Sequence, residues 1–575
     1  MIGHRALLGA LLGSLLAPLS VQAAVLASPS GVPILAGGAL VTPLAAAPPA
    51  TGTTSLNLQD MVASYGTSGP KPPVVVQRAP GRDDRDVPVV VGYTGSAPAG
   101  IRGRVVDADT LAAVTPWASL GGLTCTGGTC AGTLPTVPVG MTYLYELQDG
   151  TTQPTSGPLF VRSATRFGVG VNVVAQGQSN QLGTFGGGFG AGYAPPGYGS
   201  EGAAWAAGPR GAIYDPAGWH APSNGNPGFG PSAAVNTATD NVYGFIRLVS
   251  AGLSAKYGRP VPVGLTLWAF NSNSIEQFLP GAVHHSEFLG ASGHDVTATT
   301  YGAGTPPPYN AGGIEVFLWN QGEANQNDTQ IVYQGKLGTL HQGVLTAVQP
   351  YGWTGTTLKF LPNILGTISG ANGVEAIRSA EAAYVASARA QGLTGADIGW
   401  TATDLPLQDG LHYGAATSTR RALRRTVQGV LYAAGAAPYG GKGPGIAGIT
   451  RLSATTYQVG VQHDGGTGLQ LPTGCTSATG FAANSASDFS GTDAAVTATL
   501  VGGGIRLTVP AGSPVPLAIK YLGAKIGTAA SAAPDVSCAV YDNAVYPYWP
   551  GKAADSDTEA LGLPLRPSVG AVVVP

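Results

Sequence analysis

Charge is sparse in this 575-residue chain: Asp, Glu, Lys and Arg make up 10% of it, and the formal net charge is −2. A surface that neutralises phosphates concentrates Lys and Arg, so nothing here points to nucleic acid or an anionic membrane as a partner. No convincing apolar run of the roughly 20 residues needed to cross a bilayer is present either. Cysteine is scarce, with 4 in the chain, and no histidine stands near them at metal-ligand spacing, which argues against zinc. Glycine (88) and proline (45) are plentiful, while the hydrophobic fraction, 44%, is ordinary. That combination describes a folded, turn-rich protein rather than a disordered one. The length exceeds what one core serves and suggests about three units.

At the N-terminus His4 and Arg5 precede an apolar run over 6–16, followed by Val21-Gln22-Ala23 with small residues at signal-peptidase spacing. Residues 1–23 therefore read as a cleaved export signal, too short in its apolar part for a membrane anchor. Export to the periplasm or the outside of the cell lets disulfides persist. Cys125 and Cys130 bracket the glycine turn TGGT, and Cys475 and Cys538 lie far downstream. One bridge is expected in each group, Cys125–Cys130 and Cys475–Cys538.

Residues 24–70, rich in alanine, proline and glycine, read as a poorly ordered lead-in. Over 71–165, short β-type runs such as VPVVVGY and MTYLYELQDG alternate with turn residues, the pattern of a small β-sandwich. From 166 to 436, apolar strands (VGVNVVA, VPVGLTLWAF, GIEVFLWN, LKFLPNIL, DIGWTATD) alternate with helical stretches at 234–256, 329–349, 374–391 and 415–434. Repeated strand-helix units imply a parallel sheet covered on both faces, with ligands at the carboxyl ends of its strands. An insertion at 183–232, dense in glycine, proline and aromatics, is a candidate substrate lid or a solvent-exposed ornament. Residues 437–575 return to a second β domain.

Polar residues follow three of these strands directly. VVA leads into QGQSN, with Ser179 at its fourth position; GIEVFLW leads into Asn320-Gln321-Gly322-Glu323-Ala324-Asn325; and DGLH places Asp409 three residues before His412. Acyl transfer requires a nucleophile, a base, an acid that orients the base, and donors for the oxyanion. Ser179, His412 and Asp409 supply the first three, and Gln321 and Gly322 are placed for the last.

The blocks QGQSN, WNQGEAN and DGLH, in that order, resemble those of the SGNH hydrolase superfamily, and within it the sialate O-acetylesterase-like carbohydrate esterases. The resemblance implies a flavodoxin-like three-layer α/β/α core at 166–436, flanked by N- and C-terminal β-sandwich-like domains. It also implies Ser179 as nucleophile, His412 as base, Asp409 as its orienter, oxyanion donors at Ser179 N–H and Gln321, and no metal or organic cofactor. VVVQRAPGRDDRDVPVVVGY is similar to the β-sandwich that precedes the catalytic domain in these esterases. The second strand departs from the family, with Asn271-Ser272-Asn273 where a Gly-Gly-Thr segment is usual. Ser272 is kept there as a third donor, without the close approach that glycine permits.

Glu323 is an alternative acidic member, better suited by position to fixing the oxyanion loop. His284, His285, His294 and Asp295 lie in a glycine-rich stretch without the i, i+4 histidine pair of a helical metal site. The arginines of TRRALRRTVQGVL read as a solvated face above an apolar stripe. The expected activity is that of an exported esterase removing acetyl groups from a carbohydrate. The alternatives are an O-acyltransferase using the same residues, or a carbohydrate-binding surface protein with a vestigial triad.

Overall fold

The computed structural model describes residues 26–27, 33–34, 55–58, 74–94, 97–150, 160–163, 167–186, 211–215, 218–220, 239–288, 310–311, 313–366, 374–405, 410–413, 416–487, 491–523, 535–544 and 562–567. The expected export signal, 1–23, lies outside them.

VGVNVVA and its neighbours form the strand Phe167–Gly177, buried along its whole length. Burial on both faces explains why its sequence lacks the apolar-polar alternation of a half-exposed strand. It pairs in parallel with Val263–Ala269 on one side and Val316–Asn320 on the other, and Lys359–Pro362 follows beyond the latter. On the opposite edge Gly211–Asp215 extends the sheet in parallel and Gly218–His220 turns back against it. Both come from the 183–232 insertion, which therefore supplies sheet edge.

Successive residues of a strand face opposite ways, and here both faces are packed. Val173, Ala175 and Leu265 join one hydrophobic cluster with residues of helices Thr239–Tyr257 and Ala416–Ala433. Val174, Phe317 and Trp319 join a second with residues of Gln330–Val348 and Val374–Ala390. All four helices overlap their expected ranges. Gln330–Val348 starts where Thr329 supplies a side-chain cap, its Oγ1 accepting from Val332 N at 3.3 Å.

DIGWTATD, expected as a strand, does run beside the edge strand, with Asp397 N and Gly399 N donating to Phe360 O and Pro362 O and Ile364 bridging Thr401, but it forms no continuous ladder there; on its other side Trp400 bridges Gly441. Pro362, near this edge, has no N–H with which to continue a ladder.

The N-terminal β unit runs into this sheet. Gly140–Asp149 lies antiparallel to Ile101–Asp107 and meets the start of the central strand through Gly140 and Tyr143. Val74–Gln77 pairs in parallel with Phe167–Gly170. Arg78 then grips buried Glu315, Nε to Oε2 at 2.8 Å, while Gln77 Oε1 accepts from Asn172 N at 2.6 Å. Ser55–Leu58, within the stretch read as lead-in, adds a strand beside Val91–Thr94. The C-terminal unit has its own core, among antiparallel sheets of four, three and two strands in the described residues.

Both expected disulfides are formed and no cysteine is free. One expectation is corrected: Arg424 and Arg425 of TRRALRRTVQGVL are buried, not solvated, and Arg425 is engaged there by Thr401 O and the Asp404 carboxylate. No described helix is long and apolar enough to cross a membrane. The chain is an α/β protein with large sheets.

Candidate active site

The register of the parallel strands brings their carboxyl ends level, Gly177 opposite both Ala269 and Asn320. Gly177 is required there, since a Cβ would stand 2.1 Å from Asn320 O. The polar blocks emerge side by side from this edge.

Ser179 is the first residue of helix Ser179–Gly186, where backbone N–H groups have no intrahelical acceptor and the helix dipole favours negative charge. Its Oγ lies 3.0 Å from His412 Nε2. Two residues 233 positions apart are thus brought within hydrogen-bonding distance. Asp409 lies outside the described residues; Gly410, next to it, turns the chain at φ 82°.

Asn180, which the sequence reading quoted without a role, grips the histidine segment on both sides. Its Oδ1 accepts from Tyr413 N at 3.1 Å, and its Nδ2 donates to Leu411 O at 3.1 Å and to Glu323 Oε1 at 2.5 Å. Glu323 is buried; desolvation pushes its carboxyl up, against the opposing pull of the Asn180 hydrogen bond and the nearby His412. A carboxyl so placed favours its neutral form.

Gln321 lies fully buried beneath the site. Its Nε2 faces Asn325 Oδ1 at 2.7 Å, Gln178 Oε1 at 3.1 Å and Asn273 O at 3.3 Å, and Tyr333 OH lies 2.8 Å from its Oε1. Two amide hydrogens already face three acceptors, so donating to an oxyanion would require one to be given up. Gln178 Oε1 also accepts from Ala324 N at 3.2 Å. Gly322 has its own constraint, since a Cβ would meet Ile377 Cγ2 at 2.5 Å.

Ser272 sits on the neighbouring loop, exposed, with φ 61°. A non-glycine residue in that region costs on the order of 1 kcal/mol or more and concentrates at functional sites. The loop is tied inward through Asn273, whose O accepts from Gln321 and whose Nδ2 is 3.0 Å from His284 Nε2. His284 in turn stacks on Phe270 at 3.7 Å between centroids. His284 and His285 are both on the short helix Val283–Phe288, where His285 is also buried, and His294 and Asp295 lie outside the described residues. Among the described residues no group of three or more His, Cys, Asp or Glu side chains is arranged to hold a metal ion.

The structure thus joins Ser179 to His412 and sets the Gln321 and Asn273 loops beside them. Gln178, Asn180 and Asn325 were missed as contributors, although they stand in the same polar blocks; the polar runs that follow two buried strands were the available signal.

No family model matches this chain, and no curated protein does. Among solved structures it is similar to a carbohydrate acetylesterase from Xanthomonas citri, with 17% identity, 85% of this chain and 100% of that one covered, and a TM-score of 0.47. A protein from Arabidopsis thaliana matches at 16% identity over 45% of this chain and 98% of its own, with a TM-score of 0.29. A chitinase from Paenibacillus matches at 10% identity over 88% and 52%, with a TM-score of 0.18. Likenesses of this strength transfer neither fold nor activity.

Proposed function

We propose that this chain is an exported serine esterase that removes O-acetyl groups from a carbohydrate. The observation that carries it is the 3.0 Å contact between Ser179 Oγ and His412 Nε2 at the N-terminus of a helix, on the carboxyl edge of a parallel sheet. The two-sided packing of that sheet supports a three-layer, flavodoxin-like SGNH core. The carbohydrate substrate and the export rest on the motif resemblance and the leader-like N-terminus, and the two disulfides agree with an oxidising compartment.

In the proposed reaction His412 Nε2 takes the Ser179 Oγ proton as Oγ bonds to the acetyl carbon. The C–O bond to the sugar then breaks, and the histidine returns the proton to the leaving oxygen. Water, deprotonated by the same imidazole, attacks the acyl carbon; the bond to Ser179 Oγ breaks, the histidine returns the proton to Oγ, and acetate leaves. Asp409 is assigned to hold the imidazole. The Ser179 N–H, with Gly322 and Ser272 beside it, is assigned to the oxyanion, and Gln321 either joins them or fixes their loops. No step calls on a metal or organic cofactor.

The test is hydrolysis of p-nitrophenyl acetate, followed by acetate release from a panel of acetylated glycans. Ser179→Ala and His412→Ala each lower kcat by several orders of magnitude with the melting temperature preserved. Full activity in folded Ser179→Ala protein overturns the mechanism. Turnover of aryl acetate with no release from any glycan keeps the esterase and removes the carbohydrate.

A further inference from the structure

Arg425, one of the arginines expected to face solvent, instead forms a buried two-pronged ion pair with Asp404, Nη1 to Oδ1 and Nη2 to Oδ2, both at 2.7 Å. Its Nη1 also donates to Thr401 O at 2.6 Å. A third group reaches the same carboxylate from another unit: Tyr541, on the short C-terminal strand Tyr541–Asp542, donates its hydroxyl to Asp404 Oδ2 at 2.9 Å. Burial alone would raise the Asp404 pKa, but Arg425 first, then Arg421 and the Tyr541 hydroxyl, hold it below its ordinary value, so it stays ionised.

Asp404 belongs to the segment against which the histidine loop packs. Trp400, Ala402 and Leu405 form one buried cluster with Tyr413, the residue after His412, and the Trp400 and Tyr413 rings meet edge-on at 5.9 Å. Tyr413 N is in turn the group bound by Asn180. A continuous packed path therefore runs from the C-terminal β unit to the backbone beside His412.

We propose that Tyr541 is a positioning residue for His412, and that the C-terminal β unit is a structural part of the active site through it. The catalytic side of this inference rests on the esterase reading; the structural side does not. Tyr541→Phe removes one hydroxyl from a buried carboxylate and leaves the ring in place.

The test uses the full-length protein with three variants. Tyr541→Phe is expected to raise amide exchange in the peptide spanning residues 400–413 at least tenfold. It is also expected to lower kcat for p-nitrophenyl acetate about tenfold with KM within twofold, at a temperature where the protein is fully folded. Arg425→Lys, which keeps the charge and loses the two-pronged contact, shows the same split and serves if Tyr541→Phe does not fold. Lys442→Met removes another contact near the seam, that of Nζ with Asp397 at 3.2 Å and Asp464 at 3.8 Å. It is expected to lower the melting temperature while kcat and exchange over 400–413 stay within twofold. Unchanged exchange in Tyr541→Phe overturns the inference, as does an equal loss in Lys442→Met, which would make the effect a general loosening of the seam. If the wild type neither turns over the ester nor reacts with a fluorophosphonate at Ser179, the esterase reading has failed, while the exchange result still decides whether Tyr541 holds the segment.

Discussion

Replacing Asn180 by alanine removes a side chain whose three hydrogen bonds fix the residues on either side of His412 and one oxygen of Glu323. Tyr413 N–H and Glu323 Oε1 are then left buried without this partner. A buried polar group left unsatisfied costs about 1–3 kcal/mol, so a loss of about 3 kcal/mol in unfolding free energy is expected once water meets part of the need. The catalytic loss adds to that. Freed from its grip, the imidazole is displaced from Ser179 Oγ, and a misplacement of about 1 Å costs on the order of 10²-fold in rate, about 2.7 kcal/mol of activation free energy. The assay is steady-state hydrolysis of p-nitrophenyl acetate, at a temperature where circular dichroism shows Asn180→Ala folded, with active sites counted by fluorophosphonate titration. The expectation is kcat down about 100-fold with KM nearly unchanged.

Asn180→Asp sharpens this test. It keeps the acceptor for Tyr413 N but turns a second carboxylate oxygen toward Glu323 and Leu411 O. Like charges at that distance favour sharing one proton, which restores a donor. Activity relative to wild type should therefore be lowest at high pH and recover as pH falls. A kcat within threefold of wild type in folded Asn180→Ala, or a flat ratio for Asn180→Asp across pH, would refute the clamp.

For Gln321→Ala, a kcat lowered 10²- to 10³-fold with an unchanged melting temperature identifies an oxyanion donor; a lowered melting temperature with kcat kept in the folded fraction identifies a scaffold, which its buried, engaged amide favours. Reduction of Cys475–Cys538, which closes a separation of 63 residues, should destabilise the C-terminal unit by about 4 kcal/mol, against about 2 kcal/mol for Cys125–Cys130 with its separation of 5; denaturant unfolding of the two double-serine variants checks this. His341, stacked on Phe360 and bonded to Tyr384, has its pKa lowered by burial to about 4. Between that value and the ordinary 6.5 the unfolded chain binds the extra proton, so stability should fall as pH drops from about 6.5 to about 4, by about 3 kcal/mol in all; melting curves of wild type and His341→Phe, the latter lacking this slope, test the sign.

Much of this protein is determined by local sequence. The central strand, the four helices and the order of the polar blocks follow from apolar periodicity and its interruptions, because a residue's place on a strand or helix depends on neighbours a few positions away. The disulfide pairing was legible for a related reason, since the cysteines fall in two groups too far apart in sequence to be confused. What the polar side chains do was decided only by tertiary structure. Asn180 meets Glu323 across 143 residues and Tyr413 across 233, and Asp404 meets Tyr541 across 137, so no local pattern distinguishes a gripping asparagine from a turn residue. For the same reason Arg425 looked solvated: its charge was visible in the sequence, but the carboxylate that compensates it, and the C-terminal tyrosine that reaches the same carboxylate, are neighbours only in the folded chain.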